Sequence, residues 1–133
     1  MPPADRTLRI LVVDDHAAIR CGIASLIDAE SPRMRCIGAA STSSDALDHA
    51  RELQPDVVVL DVDLGGEDGL ALIPCLHRLA PCSVVVLTSA LDHRIATRAR
   101  ELGARALVHK SARGGELIAC VASAAPVPHD PAP

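Results

Sequence analysis

Acidic, hydroxyl and amino side chains stand directly after short apolar runs at several points in this sequence. These residues are Asp14, Asp15, Asp61, Asp63, Thr88 and Lys110. Carboxylates that lie close together repel one another, and their pKa values rise unless a positive charge sits among them. A hard divalent cation is the natural counter-charge, because Mg²⁺ prefers oxygen ligands and is usually held by one or two carboxylates plus phosphate oxygens. If these side chains meet in the fold, they form a magnesium site with an ammonium group beside it.

The chemistry expected of such a pocket is phosphoryl transfer. With a cation and Lys110 nearby, Asp61 can stay ionised and act as a nucleophile that forms an aspartyl phosphate. The cation and Lys110 would also neutralise the charge on the transferring group, and Thr88 could donate a hydrogen bond to a phosphoryl oxygen. Taken singly, each residue is more often an ordinary turn or surface residue. Their agreement at the ends of four apolar runs favours the functional interpretation.

The apolar runs themselves have the length and composition of parallel strands that are covered on both faces. Val and Leu dominate most of them without polar alternation. The predicted strands are Leu8–Val13, Met34–Ala39, Asp56–Leu60, Ser83–Leu87 and Ala104–Val108. Apolar residues recur at helical spacing in the segments that follow the strands. The predicted helical stripes are Ile19–Ile27, Leu47–Leu53, Leu70–Leu79, Ile95–Leu102 and Leu117–Val121.

Five β–α units with right-handed crossovers predict an α/β fold with a doubly wound parallel sheet and helices on both faces. Sheets of this kind place their sites at the carboxyl ends of the strands. The candidate residues all follow predicted strands, so we expect them to converge on one edge of the sheet.

Composition narrows the classes of function. The 133 residues fit one domain, and 49% of them are hydrophobic, which is enough for a buried core. The chain has no Phe, Tyr or Trp to stack on single-stranded nucleic acid, and its formal net charge is -4, so we expect no direct DNA binding. The apolar runs are too short to span a membrane, and the five cysteines form no C-x-x-C pair. Together with an N-terminus unlike a secretory signal, this predicts a cytoplasmic protein with free thiols.

The domain is expected to occupy residues 8–125. Residues 1–7 form a short N-terminal extension, and residues 126–133 form a proline-rich tail with four of the ten prolines. Proline lacks a backbone N–H and cannot continue a helix, so the tail is predicted to lie outside the domain.

The sequence around the candidate residues resembles the receiver domain of response regulators, the CheY-like family. The matching stretches are Ile10–Asp15, Asp56–Asp61, Asp68-Gly69, Leu87–Ser89 and Gly103-Ala104 leading to Lys110. The resemblance runs from about Leu8 to Ala125 and implies the strand order 2-1-3-4-5 with five helices. The stretch Asp14-Asp15-His16 followed by Arg20 and Gly22 resembles the NarL/FixJ branch in particular. Members of that branch normally continue into a helix-turn-helix domain, and we expect a receiver without that output domain here.

By this resemblance, Asp61 accepts a phosphoryl group from a sensor histidine kinase or a phosphotransfer protein. The implied magnesium ligands are Asp14, Asp15, Asp61 and Asp63, with Asp14 acting through water and Asp63 through its backbone carbonyl. Thr88 would move toward the phosphoryl group and Lys110 would pair with it. The chain would be no enzyme beyond its own phosphorylation and dephosphorylation. A downstream protein or a second copy would bind the face of the fourth helix, fifth strand and fifth helix, or that of the first and fifth helices.

Three positions depart from the family pattern. The switch position, three residues before the lysine and usually aromatic, is Leu107, so an aromatic rotamer switch cannot operate. Gly65 stands where the family usually has proline, and with Gly66 it is expected to make the loop more flexible. Pro74 falls inside the expected third helix, where it should kink the helix or force a late start.

Two other functions are compatible with part of the pattern. Asp61-Val62-Asp63 after a strand also resembles the first motif of haloacid-dehalogenase-type phosphatases, which place a further acidic pair after the lysine. Here the acidic pair is Asp14-Asp15, before the nucleophile. A binding module that no longer uses phosphorylation is the other alternative, suggested by the three departures. His16 and His109 flank the predicted pocket and are interpreted as surface or capping residues.

Overall fold

Five parallel strands form the central sheet of the computed structural model, which describes residues 7–90 and 92–125. The strands are β1 Leu8–Val13, β2 Met34–Ala40, β3 Val57–Asp61, β4 Ser83–Thr88 and β5 Ala106–His109. Their order across the sheet is β2-β1-β3-β4-β5, and every neighbouring pair is parallel. This confirms the predicted doubly wound α/β sheet and the strand order implied by the family resemblance.

Five α-helices connect and cover the strands. They are α1 Ala17–Asp28, α2 Ser43–Leu53, α3 Leu72–Leu79, α4 His93–Glu101 and α5 Gly114–Ser123. Side-chain caps begin two of them, because Thr42 accepts a hydrogen bond from the Asp45 N–H and Asp92 accepts one from the Arg94 N–H. Gly103 follows α4 with φ of 103°, a conformation that favours glycine, and so ends that helix as predicted.

The core consists of two layers, one on each face of the sheet. Alternate residues of each strand point to opposite faces, so Ile10 and Val12 of β1 pack with helices α1 and α5, whereas Leu11 and Val13 pack with α2, α3 and α4. Every residue of β3 is buried. The central strand therefore lies between two apolar layers, and its carboxyl end is the natural place for a buried polar group.

The strand ends differ from the prediction by one or two residues. Asp61 and Thr88 are the last residues of β3 and β4 rather than the first residues after them. The backbone ladder pairs Asp61 with Leu87 whatever the polarity of the side chain, so the strand continues past the apolar run. The fifth strand begins at Ala106, two residues later than predicted.

The segment after β3 contains a hairpin that was not predicted. Its antiparallel arms are Asp63–Leu64 and Glu67–Asp68. Gly65 and Gly66 form the turn with φ of 60° and 91°, and a two-residue turn with both φ positive strongly favours glycine. The expected loop is therefore a defined hairpin, and the two glycines are required by its turn.

A 3-10 turn at Gly69–Ala71 precedes α3, which begins at Leu72. Pro74 is the third residue of that helix, where its missing N–H would have no partner within the helix. The prediction of a late start is confirmed.

Residues 1–6 of the predicted N-terminal extension and the proline-rich tail at 126–133 lie outside the described residues. Within the residues that the structure describes, no helix is long and apolar enough to cross a membrane.

Candidate functional site

The carboxyl edge of the sheet brings together an ammonium group and two buried carboxylates. Asp14 follows β1, Asp61 ends β3 and Lys110 follows β5. The Lys110 Nζ lies 2.7 Å from Asp61 Oδ2 and 3.4 Å from Asp14 Oδ2. The side chains of Asp14 and Asp61 are 0% and 1% exposed. The predicted convergence of these strand ends is what the structure shows.

The Asp61 carboxylate is oriented from both of its oxygens. Lys110 donates a hydrogen bond to Oδ2, and the Asp63 backbone N–H donates one to Oδ1 at 3.1 Å. The backbone before Asp63 is held as well, because the Val62 N–H donates to the Leu87 carbonyl at 3.0 Å. Asp61 therefore has little freedom to rotate out of the pocket.

A glycine packs directly behind Asp61. A Cβ atom added to Gly69 would lie 2.0 Å from the Asp61 carbonyl oxygen and 2.9 Å from that of Val62. The Gly69 N–H also donates a hydrogen bond to the Val62 carbonyl at 2.7 Å. Only a residue without a side chain allows this approach, so Gly69 sets the path of the backbone beside the pocket.

The charges of the pocket act on each other's pKa values. Burial raises the pKa of the Asp61 carboxyl, and the nearby Asp14 charge adds to this, against the lowering effect of the Lys110 and Asp63 hydrogen bonds. Burial alone would lower the pKa of Lys110, but its hydrogen bond to Asp61 and the charges of Asp61 and Asp14 raise it overall. Lys110 therefore stays charged, and its single ammonium group faces two buried carboxyl groups.

The end of β1 adds a third carboxylate, that of Asp15, and the imidazole ring of His16. The His16 backbone N–H donates to Asp14 Oδ1 at 2.8 Å, and Arg20 donates to the Asp14 carbonyl at 2.8 Å. The His16 Nδ1 lies 3.3 Å from Asp14 Oδ1 and 3.0 Å from Asp15 Oδ1. His16 was interpreted from the sequence as a surface or capping residue. It does precede the first residue of α1, but its ring contacts the acidic pair.

These groups fit a divalent cation. Asp14, Asp15, His16 and Asp61 each offer a ligand atom, and all of these atoms lie within 4.8 Å of one another. Asp14 Oδ2 and Asp15 Oδ1 are buried and accept no hydrogen bond from the described residues, although each has a nitrogen at ion-pair distance. Buried carboxylate oxygens without hydrogen bonds are costly, and a hard cation would satisfy them.

The Asp63 carboxylate takes no part in this cluster. It is exposed and accepts a hydrogen bond from the Gly66 N–H at 3.1 Å, within the hairpin turn. The side chain therefore serves the turn, and it is the backbone N–H of Asp63 that contacts the pocket, at Asp61 Oδ1.

Thr88 is buried at the end of β4, but its hydroxyl is engaged with its own loop. It donates to the Ala90 carbonyl at 3.0 Å and accepts from the Ala90 N–H at 3.1 Å. The Thr88 carbonyl accepts a hydrogen bond from the Lys110 N–H at 2.8 Å, which ties the ends of β4 and β5 together. The residue is at the predicted edge, with its hydroxyl turned to the β4–α4 loop.

The β5 end carries the switch position and a second histidine. Leu107 is half-buried and packs against the core layer of α2, α3 and α4. The His109 Nε2 lies 3.0 Å from the Ser89 carbonyl oxygen, and its Nδ1 accepts from the Ser111 N–H at 3.0 Å. His109 therefore links the β4–α4 loop to the turn before α5. Sequence reasoning missed this link because it joins residues 20 positions apart.

Comparison with known proteins places this geometry in a family. Residues 10–122 match the family described as the response regulator receiver domain. The transcriptional regulatory protein LiaR of Bacillus subtilis is 32% identical over 118 residues, which is 88% of this chain and 56% of LiaR. The chain thus spans about half the length of this curated relative.

Solved structures agree with the sequence match. A two-component response regulator of the LuxR family from Aurantimonas superposes with a TM-score of 0.80 at 30% identity, over 90% of this chain and 89% of that one. A response regulator from Burkholderia pseudomallei, with a phosphorylated aspartic acid, calcium ion and citrate, gives a TM-score of 0.77 at 26% identity, over 85% and 65%. The LiaR and LuxR-family matches agree with the predicted branch. The strand-end carboxylates, the lysine and the matched sequence together show that this chain belongs to the response regulator receiver domain family.

Proposed function

We propose that residues 8–125 act as a phosphorylation-dependent receiver that accepts a phosphoryl group on Asp61 from a histidine kinase or phosphotransfer protein. The observation that carries this proposal is the ion pair between the buried Asp61 and Lys110 at 2.7 Å. Beside it lie Asp14 and Asp15, each with a buried oxygen that accepts no hydrogen bond from the described residues. A solvated surface carboxylate needs no such surroundings. A nucleophile that must remain ionised in a buried pocket does.

The chain's own residues would divide the work of the transfer. One Asp61 oxygen attacks the phosphorus atom while the bond from phosphorus to the donor's leaving atom breaks, so the phosphoryl group moves as a unit. Lys110 offsets charge on the group in transfer, and the Asp63 N–H holds the Asp61 carboxylate in orientation. Mg²⁺, held by Asp14, Asp15 and Asp61 with the Asp63 carbonyl, would neutralise phosphoryl charge when bound.

The Burkholderia relative supports the choice of chemistry. That structure contains a phosphorylated aspartic acid together with a calcium ion, and it superposes on most of this chain. The same combination of an aspartyl phosphate and a divalent cation is what the buried carboxylates of this pocket would accommodate. A cation and a phosphoryl group on Asp61 would then be mutually stabilising, because each offsets the other's charge.

Phosphorylation would act on other proteins through the β4–α4 side of the domain. For Thr88 to donate to a phosphoryl oxygen, its hydroxyl must leave the Ala90 carbonyl, which moves the loop before α4. This loop leads into α4 and lies beside the end of β5, so the surface formed by α4, β5 and α5 would change when the loop moves. A downstream protein or a second copy of the chain would bind this face, or that of α1 and α5, in one state better than in the other.

The test is phosphoryl incorporation from a small acyl-phosphate donor, followed by intact mass spectrometry. We expect one adduct that requires Mg²⁺ and is lost in Asp61→Asn. Asp63→Asn is the matched control, since its carboxylate serves the hairpin turn and its backbone is unchanged; it should still form the adduct. An adduct that persists in Asp61→Asn would refute the assignment of the acceptor. If no adduct forms under any condition, the alternative of a phosphorylation-independent binding module replaces this proposal.

A further inference from the structure

The proposed phosphoryl transfer does not use the side chain of His16, which contacts the acidic pair of the pocket. Its ring nitrogen Nδ1 lies 3.0 Å from Asp15 Oδ1 and 3.3 Å from Asp14 Oδ1. We propose that His16 is a nitrogen ligand of the cation site, and that it enables the pocket to hold a late first-row divalent metal such as Ni²⁺ or Zn²⁺ as well as Mg²⁺. This inference rests on the cation site of the proposed function.

The spacing of the three atoms suits a shared metal ion. Ligand atoms bound to one ion at about 2.1 Å lie about 3.0 Å apart in an octahedron and about 3.4 Å apart in a tetrahedron. The distances from His16 Nδ1 to the Asp14 and Asp15 oxygens fall within this interval. The same spacing suits a hydrogen bond from Nδ1 to a carboxylate, and the experiment below separates the two arrangements.

A second observation points to a missing ligand. Asp14 has no solvent exposure, and its Oδ2 accepts no hydrogen bond from the described residues. Asp15 Oδ1, which lies 3.0 Å from the His16 Nδ1, is also buried and accepts no hydrogen bond from the described residues. The carboxylates that carry these two oxygens belong, with the His16 ring, to a cluster whose ligand atoms lie within 4.8 Å of one another, which is a donor set for a metal.

The local backbone holds His16 at this place. Its N–H donates to Asp14 Oδ1 at 2.8 Å, and α1 begins at the next residue. The ring is 60% exposed, while the carboxylates behind it are largely buried. A hydrated metal ion from solvent can therefore reach the imidazole first and exchange its waters for the carboxylate oxygens.

The nitrogen would set the metal preference of the site. Mg²⁺ prefers carboxylate, carbonyl and water oxygens, whereas imidazole suits Ni²⁺ and Zn²⁺. A pocket with oxygen ligands alone would bind late first-row metals more tightly than Mg²⁺ only by the margin that the general affinity order gives. With His16, the same pocket should discriminate more strongly in their favour, because one ligand is useful to them and of little use to Mg²⁺.

The experiment is calorimetric titration of the full chain with Ni²⁺ and, separately, with Mg²⁺. Variant His16→Gln is compared with His77→Gln, which removes an exposed histidine of α3 that lies outside the ligand cluster. We expect His16→Gln to lower Ni²⁺ affinity at least tenfold and to change Mg²⁺ affinity less than twofold. His77→Gln should change neither. Unchanged Ni²⁺ affinity in His16→Gln would overturn the proposal, and so would an equal loss for both metals, which would indicate that His16 only positions the carboxylates.

A direct readout comes from imidazole ¹⁵N NMR of the chain titrated with Zn²⁺. We expect the Nδ1 resonance of His16 to move to the position of a metal-bound imidazole nitrogen, and a resonance that stays in place would refute ligation. The Mg²⁺-dependent adduct on wild-type Asp61 is measured separately. If the adduct forms while His16 shows no ligation, this inference fails and the proposed function stands. If His16 ligation is seen and no adduct forms, the inference stands and the proposed function fails.

Discussion

On the β3 side of the pocket, Asp61 is held by Lys110, by the Asp63 N–H and by the close approach of Gly69. On the β4 side, the hydrogen bonds of the Thr88 hydroxyl within the described residues are to Ala90, two residues further along its own loop. The first set includes a contact between residues 49 positions apart, Asp61 and Lys110, beside the local one from Asp63. The second set is local and can be exchanged by rotating one side chain and shifting one loop.

This difference separates the two tasks that we assign to the pocket. Asp61, the proposed nucleophile, is held in place before any phosphoryl group arrives, so no ordering of it would be needed at the moment of transfer. The Thr88 hydroxyl, by contrast, would have to leave the Ala90 carbonyl before it could donate to a phosphoryl oxygen. His109 spans both sides, because its ring contacts the Ser89 carbonyl of the loop and the Ser111 N–H beyond Lys110.

The largest expected effect is on the rigid side, from Gly69→Ala. The new Cβ would lie 2.0 Å from the Asp61 carbonyl oxygen, so the backbone must move. We expect a loss of about 3 kcal/mol in the free energy of unfolding, together with loss of the phosphoryl adduct. Urea denaturation measures the first and mass spectrometry the second.

The control is Gly115→Ala in the first turn of α5, where an added Cβ meets nothing within 4 Å. It should be neutral or stabilise by up to about 1 kcal/mol. Equal effects of the two substitutions would show that the approach of Gly69 to Asp61 is unimportant.

The next effect tests the charge balance of the same side. Lys110→Met leaves the buried Asp61 carboxylate without its cation. We expect the free energy of unfolding at neutral pH to fall by about 2 kcal/mol. This is less than the full cost of an unpaired buried charge, because partial protonation of Asp61 reduces that cost. Lys110→Arg, which keeps the charge, should lose less. A higher denaturation midpoint for Lys110→Met would show that the pair does not stabilise the fold.

On the mobile side, we expect Thr88→Val to separate transfer from response. The substitution keeps the branched shape in β4 and removes the hydroxyl that pairs with Ala90. The Asp61 adduct should still form, whereas the amide shifts of Ser89 and Ala90 on addition of beryllofluoride should shrink to a small fraction of the wild-type change. Wild-type-sized shifts in the variant would mean that the loop responds without Thr88.

The smallest effect concerns a surface tie between α4 and the hairpin. The Arg98 guanidinium lies 2.6 Å from Asp68 Oδ2 and holds the pKa of that carboxyl below its usual range, against the raising effect of burial. A lowered carboxyl pKa stabilises the fold above the ordinary value of about 3.9 and loses that contribution as pH falls through the folded value.

We therefore expect Arg98→Gln to destabilise slightly at neutral pH and not at all in strong acid, where Asp68 is protonated in both proteins. NMR titration of Asp68 should show its pKa return toward the ordinary value. Arg100→Gln on the same helix is the control and should leave the Asp68 titration unchanged. If the Asp68 titration is the same in Arg98→Gln and wild type, the Arg98–Asp68 ion pair does not stabilise the charged form of Asp68.

Much of the fold could be predicted from local pattern. Runs such as Val57–Leu60 and Val84–Leu87 predicted buried parallel strands, and Pro74 predicted a kink or a late start of α3, of which the structure has the late start. These features depend on side chains within one element and on proline's missing N–H, which are written in the sequence itself. The strand order came from resemblance to a family, since five similar β–α units do not by themselves choose among arrangements.

The hairpin shows a signal that was present but interpreted differently. By composition, Gly65-Gly66 predicts a flexible loop, yet two adjacent glycines between short extended segments also suit a turn with both φ positive. Gly69 had no such local signal. Its need for a missing side chain comes from the Asp61 carbonyl oxygen, which reaches it only in the folded chain.

By itself, the sequence determined the residue types at the strand ends, the helical and strand periods, and hence the edge at which Asp14, Asp61 and Lys110 would meet. The tertiary structure decided how they meet: which Asp61 oxygen pairs with Lys110, where the Thr88 hydroxyl points, and that His16 faces the acidic pair. The physical reason is that periodicity is a property of neighbours along the chain. Hydrogen bonds between strand ends depend on register and side-chain rotation, which only packing across the whole sheet fixes.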